Sequence, residues 1–197
     1  MLAKGRLIII SSPSGGGKDA VINALLKIFP NSARLVTTTS RPPRPGNKEG
    51  ADYFFISKNE FEEKIKQDAF VEHNIYSENY YGVEKARLDE SLKKHNLIFT
   101  QIEVNGKHNL DKRGIKHLSI YLLPENLDIL RARIERRGGL NQAQIDERLE
   151  VAKREIAASA DYDHRIVNAQ GKLDETVQKV AEIIARNAGI DKKPALY

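Results

Sequence analysis

The sequence predicts an α/β domain, a parallel β-sheet wound with helices on both faces. Three observations lead there. Continuous aliphatic runs at residues 7–10, 97–102 and 118–123 have the composition of strands buried on both faces. Segments with apolar residues at helical spacing alternate with those runs. A glycine-rich turn joins the first run to the first helical segment, as in the first half of a βαβ unit.

The elements follow in order. Leu7-Ile-Ile-Ile10 is the first strand. Ala20, Val21, Ala24, Leu25 and Ile28 then recur at helical spacing, and Pro30 ends that helix. Residues 37–52 are rich in Thr, Arg, Pro and Gly, so they are expected to form an exposed loop of the kind that binds ligands. Ser57 and Glu60 make a capping box for a helix reaching about Lys66. Residues 84–95 form another helix, and 97–102 and 118–123 two further strands. Pro124 is placed in the first turn of a helix that runs to about Arg137, where Gly138 and Gly139 break it. Asn141 to Gln144 cap a helix that runs to about Ala160. Residues 165–167 are a short strand, and 173–188 a closing amphipathic helix. All 197 residues are expected to belong to one domain.

Composition narrows the chemistry. At 40% hydrophobic the chain can bury a core, and 32 basic against 27 acidic residues leave a formal charge of +5 that suits anionic ligands. The absence of cysteine excludes disulfides, zinc-thiolate sites and thiol catalysis. The five histidines lack metal-ligand spacing. The opening apolar run is too short for a signal peptide or a membrane span, so a soluble cytoplasmic protein is expected, with no membrane partner. Nucleic-acid binding has only the net charge behind it. The sequence carries no information on oligomeric state.

The strongest local signal is Ser12-Pro13-Ser14-Gly15-Gly16-Gly17-Lys18-Asp19-Ala20, between the first strand and the first helix. Glycines let successive backbone N–H groups point into one concavity at a helix N-terminus, where phosphate is favoured. Lys18 can reach the outer phosphates of a nucleoside triphosphate. Two positions depart from G-x-x-x-x-G-K-[ST]. Ser12 stands where the first Gly is usual. Asp19 stands where a hydroxyl normally meets Mg2+, and its carboxylate can hold that ion directly or through water.

Further on, Arg41 and Arg44 lie three apart with prolines between them, presenting two guanidinium forks from a stiff loop. Forks grip phosphate bidentately, and Tyr53 can supply a third phosphate donor. Arg133 and Arg137 lie on one helix face, with Arg148 beyond the glycine break, an arrangement that suits a closing lid. For Arg133 and Arg136 the alternative of ion pairs with acids such as Glu135 and Glu150 stays open.

The stretch from Thr37 to Phe54 resembles the GMP-binding segment of guanylate kinases. The resemblance continues in Phe70-Val-Glu72, Asn79-Tyr-Tyr81-Gly82, Arg133 to Gly138, Ile145 to Leu149, Asp161-Tyr-Asp163 and Ile166-Val-Asn168. It implies a P-loop sheet with a small inserted GMP-binding lobe, about 37–90, and a helical lid, about 136–158. The core would then be about 1–36, 96–135 and 160–197. It implies MgATP as donor, GMP or dGMP as acceptor, and ADP and GDP as products. Arg41, Arg44, Tyr53 and Tyr81 would hold the acceptor phosphate. Glu72 would read guanine, with Thr37 near the base, and Glu103 would belong to the GMP side as well. Lys18, Arg137 and Arg148 would act on the transferring phosphoryl group, and Asn168 would lie near adenine.

Two departures touch this pattern. Val83 replaces a hydroxyl residue. Gln101-Ile-Glu103 replaces D-x-D, keeping an acid only at Glu103, so the Asp gained at position 19 compensates the charge lost at 101. Two alternatives remain: a ribose 1,5-bisphosphate phosphokinase, which shares Asp after the loop Lys, and a catalytically impaired protein-binding domain of the same type.

Overall fold

A computed structural model describes residues 5–76, 78–136 and 138–190. In chain order the elements are β1 (Arg6–Ser11), α1 (Lys18–Ile28), β2 (Ser32–Arg34), β3 (Thr38–Thr39), β4 (Phe54–Phe55), α2 (Lys58–Lys66), β5 (Phe70–Tyr76), β6 (Asn79–Glu84), α3 (Lys85–Lys94), β7 (Leu97–Thr100) and α4 (Val104–Lys112). They continue with β8 (Leu118–Leu123), α5 (Leu127–Arg136), α6 (Gln142–Ala158), a 3-10 turn (Ser159–Asp161), β9 (His164–Val167) and α7 (Leu173–Ala188). The chain divides into two compact units. One comprises residues up to 7, 31–100 and 105–116; the other comprises 8–30, 101–104 and 117 onward.

The second of these carries the parallel sheet expected from the aliphatic runs. β1 pairs with β8, Ile8 opposite Leu118 and Ile10 opposite Ile120, and β8 pairs in turn with β9. Both pairings are parallel, so the strands end on the same side. Ile9, Ile10, Ile120 and Leu122 are fully buried, because helices cover the sheet. α7 turns Val177, Val180, Ala181 and Ile184 inward at helical spacing and packs against α1. α5 and α6 share a cluster of Leu130, Ile134, Ile145, Leu149 and Ala152. The capping boxes at Ser57–Glu60 and Asn141–Gln144 are both formed.

Two expected boundaries move. α5 begins at Leu127 rather than at Pro124, because the Asn126 side chain accepts from the Ile129 N–H (2.9 Å) and caps the helix itself. β7 stops at Thr100 rather than at residue 102: the Ile102 carbonyl accepts from Ser11 Oγ (2.6 Å), which accepts from the Tyr162 hydroxyl (2.9 Å).

The other unit pairs β2 with β7 in parallel and builds a separate four-stranded sheet in the order β4-β3-β6-β5. The exposed loop expected at 37–52 holds from Arg41 to Asp52, which is mostly exposed, and is corrected at its start. Thr38 and Thr39 form β3 and are fully buried. Burial is possible because their hydroxyls are satisfied inside: Thr39 Oγ1 donates to the Tyr80 carbonyl (2.8 Å) and Thr38 Oγ1 to Glu84 Oε1 (2.5 Å). Glu84 is held further by Lys64 Nζ (2.8 Å) and Arg87 Nε (3.3 Å). Burial raises the Glu84 pKa, but the Lys64 and Thr38 hydrogen bonds, with the charges of Lys64 and Arg87, outweigh it and leave the group below the usual carboxylate value.

α2 lies on this sheet through Phe61, whose ring stacks on Phe70 (4.3 Å between centroids) and Tyr80 (5.1 Å). Gly82 makes room for that stack. A Cβ there would come within 2.9 Å of Phe70 and 3.0 Å of Phe61.

Gly82→Ala is therefore expected to lower stability by about 1–3 kcal/mol, by overpacking the stack. Urea denaturation measures it, and an unchanged midpoint would show that the rings give way freely. Glu84 sets a pH dependence. With its folded pKa depressed, its contribution is complete above the unfolded value and is lost as pH falls through the folded one. Stability of Glu84→Gln should fall less steeply than that of the parent below about pH 4.5; parallel curves would contradict the assignment.

Candidate active site

The turn between β1 and α1 is built from backbone. The Gly16 N–H donates to the Pro13 carbonyl (2.8 Å), closing the turn, and Ser12 Oγ donates to the same oxygen (3.0 Å). Gly17 is the N-cap of α1 at φ 91°, a conformation that favours glycine, and no side chain caps the helix. The first N–H groups of α1 thus keep their capacity for an anion. Ser12 has negative φ, so its position does not require the usual glycine. Lys18 opens the helix, followed by exposed Asp19 and Ala20 in the first turn, where a carboxylate is favoured.

Around this loop the second unit gathers several predicted residues. Asn168, buried just after β9, donates from Nδ2 to the Gly16 carbonyl (2.9 Å). Arg133 on α5 donates to the Asn168 carbonyl (3.0 Å) and to Gln170 Oε1 (3.0 Å), so among the described residues its hydrogen bonds go to neutral acceptors. Arg148 on α6 donates to Ser14 Oγ (3.2 Å). Arg137 lies outside the described residues. Gln101 Oε1 is buried without a protein partner among the described residues.

Sequence reasoning missed Glu155. Its pKa is pushed up to about 7, by burial first and then by the Glu103 carboxylate, against the pull of the Lys18 ammonium. Lys18, Glu103 and Glu155 therefore share one electrostatic neighbourhood. A signal for Glu155 existed: it lies one and two turns beyond Ala152 and Arg148 on one stripe of α6. No three His, Cys, Asp or Glu among the described residues gather as an all-protein metal site. Asp19 and Glu103 instead offer the one or two carboxylates that Mg2+ uses when phosphates and water complete its shell.

In the other unit, Arg41, Tyr53 and Tyr81 converge from distant parts of the chain. The Arg41 guanidinium lies 5.5 Å from the Tyr53 ring centroid and 5.8 Å from that of Phe55, and Tyr53 meets Tyr81 edge-on at 5.9 Å. Arg41 also donates to the Pro42 carbonyl (2.8 Å) and to Asn47 Oδ1 (3.0 Å). Asn47 accepts from the Arg44 N–H too (2.9 Å), so one side chain, which the sequence reading passed over, fixes the segment bearing both arginines. Arg44 itself is exposed.

Glu72 is 5% exposed and sits opposite Val83 across the β5–β6 pair. Tyr81, two residues before Val83, projects on the same side of β6. Thr37 accepts the Phe54 N–H through its carbonyl (2.9 Å), which holds it beside the same sheet.

No helix among the described residues is long and apolar enough to cross a membrane. The family pattern described as guanylate kinase matches residues 4–187. A guanylate kinase of Rickettsia bellii is 36% identical over 92% of this chain and 94% of its own length. One from Latilactobacillus sakei is 37% identical over 93% of this chain and 90% of its own. The crystal structure of guanylate kinase from Anaplasma phagocytophilum superposes with a TM-score of 0.74 at 27% identity, covering 98% of this chain and 90% of that one. Matched along nearly its whole length in sequence and in fold, the chain is an enzyme that belongs to the guanylate kinase family.

Proposed function

We propose that the enzyme transfers the γ-phosphoryl group of MgATP to GMP, and to dGMP, in purine nucleotide metabolism. The observation that carries this reading is the convergence of Arg41, Tyr53 and Tyr81 on the sheet that also bears buried Glu72. Two hydroxyls and a guanidinium suit a phosphate monoester. A carboxylate suits guanine, whose N1–H and N2–H are adjacent donors that adenine lacks. None of these residues is assigned to the sugar, so a missing 2′-hydroxyl changes little.

In this scheme the donor phosphates lie along the N–H groups of the loop and α1, with Lys18 on their outer oxygens. Arg41, Arg44, Tyr53 and Tyr81 hold the acceptor phosphate, one of whose oxygens attacks the γ-phosphorus as the bond to the ADP oxygen breaks. The protein supplies alignment and positive charge; no side chain needs to form a covalent bond. Arg148, and Arg137 by the family pattern, place further charge on the migrating group. Asp19 and Glu103 would hold Mg2+, which neutralises phosphate charge when bound.

A coupled ADP-release assay tests this with GMP, dGMP, AMP, UMP and ribose 1,5-bisphosphate. Turnover is expected with the two guanine nucleotides alone. Turnover confined to the sugar phosphate would reassign the acceptor, and silence with every acceptor would leave a protein-binding role. Arg41→Ala should raise KM for GMP roughly tenfold or more, as one charged hydrogen-bonding group is lost, with KM for ATP unmoved. Asp19→Ala should lower kcat at least about tenfold; an unchanged kcat would remove Asp19 from the metal side.

A further inference from the structure

Asn168 is fixed at three points. Its N–H donates to the Leu123 carbonyl at the end of β8 (2.8 Å). Its carbonyl accepts from Arg133 (3.0 Å), and its side-chain Nδ2 donates to the Gly16 carbonyl (2.9 Å). Only 5% of the residue is exposed. The amide occupies the space that a side chain on Gly17 would need, since a Cβ there would fall 2.6 Å from Nδ2.

The peptide joining Gly16 to Gly17 is trans, as are all the peptide bonds described, so its carbonyl and its N–H point opposite ways. Flanked by glycines, this peptide can rotate readily about its neighbouring bonds; the other peptide so flanked, Gly15–Gly16, is already held by the bond from its N–H to the Pro13 carbonyl (2.8 Å). Rotated one way it offers an N–H to an anion; rotated the other way it offers a carbonyl oxygen, which repels one. We infer that Asn168 is a positioning residue that locks the Gly16–Gly17 peptide with its N–H toward the bound polyphosphate. The resemblance sets this residue beside adenine; one of its two amide N–H groups is engaged by the loop. The inference rests on the donor reading above only in taking the loop's ligand to be a polyphosphate.

Calorimetric titration of the intact protein with inorganic tripolyphosphate and with ATP, each with Mg2+, separates the roles. In Asn168→Ala both ligands should bind about tenfold more weakly, the loss of one buried hydrogen bond and of the peptide orientation it secures. Affinity for GMP should stay at the parent value, Tm should fall by only a few degrees for the one buried hydrogen bond lost, and the Gly17 amide resonance should shift or broaden. Asn168→Leu nearly keeps the shape, removes the donor and adds no charge, so it should weaken both ligands about as much and serves if the alanine variant does not fold. Loss for ATP alone, with tripolyphosphate unchanged, would make Asn168 a base reader and overturn the inference. So would unchanged binding of both. If the parent binds tripolyphosphate but phosphorylates no nucleotide, the donor–acceptor reading fails, and the tripolyphosphate comparison still decides the role of Asn168.

Discussion

A row of backbone N–H groups binds phosphate only if every peptide in the row is turned the same way, and the second unit is arranged around that constraint. Parallel pairing brings the ends of β1, β8 and β9 to one side of the sheet. The loop follows the first of these strands, Asn168 follows the last, and Leu123 at the end of β8 anchors Asn168. Ligands of parallel sheets bind at the carboxyl ends of strands for this reason: segments far apart in sequence emerge there together from a rigid base. The base is rigid because Ile8 to Ile10 and Ile120 to Leu122 are buried on both faces, so the turn cannot relax by shifting its strands. Side chains are excluded where the loop is tightest. A Cβ on Gly16 would lie 2.5 Å from that of Ser12.

Charge is handled differently at the candidate site and elsewhere. Arg87, Arg113 and Arg131 each bond a carboxylate, of Glu84, Asp68 and Asp146. Arg41, Arg133 and Arg148 are instead held by neutral partners: carbonyls, the amide oxygens of Asn47 and Gln170, and the Ser14 hydroxyl. A neutral acceptor fixes a guanidinium without cancelling its field, so the charge stays available to an anionic ligand. The first group of arginines stabilises the fold locally, at exposed or half-exposed sites where each pair contributes little. The Glu155 carboxyl shows the converse beside Lys18. Burial and Glu103 favour its neutral form, which reduces the negative charge facing the loop.

How much of this the residues announce depends on how local the deciding interaction is. β1, β7 and β8 were legible because each lies in a largely apolar run, whereas β2, Ser-Ala-Arg, has no such run and was not expected; two helix starts were legible because a capping box is complete within four residues. Pro124 misled because proline suits a first turn equally well wherever the cap lies, and the Asn126 side chain set the cap. The second sheet was not legible. β3 and β4 are two residues each, too short for any period, and Thr38 and Thr39 read as loop until their hydroxyl partners, Tyr80 and Glu84, are known. β5 carries Glu72, His73 and Asn74 in its middle, which breaks alternation. At the site, Lys18 and the loop stand out by spacing alone. Arg41 and Tyr53 stand out by residue type, and Tyr81 joins them only by resemblance, because the sheet that brings it to them is itself illegible.

The pairing of Glu72 with Val83 bears on selectivity. A hydroxyl at position 83 would add one hydrogen bond to a base, about 1 kcal/mol. Valine there is 1% exposed and lies opposite Glu72 in the strand pair, an apolar cross-strand neighbour. An apolar neighbour lowers the local dielectric, which strengthens bonds from Glu72 to a ligand and raises the cost of burying that carboxylate against a ligand that offers it no donors. A site built to hydrogen-bond one base rejects an analogue mainly by leaving its own buried group unpaired. If Glu72 reads guanine, the exchange of hydroxyl for methyl therefore moves discrimination from a sum of small contacts onto a single buried acid. Selectivity then depends on the β5–β6 pairing that holds Glu72 opposite Val83.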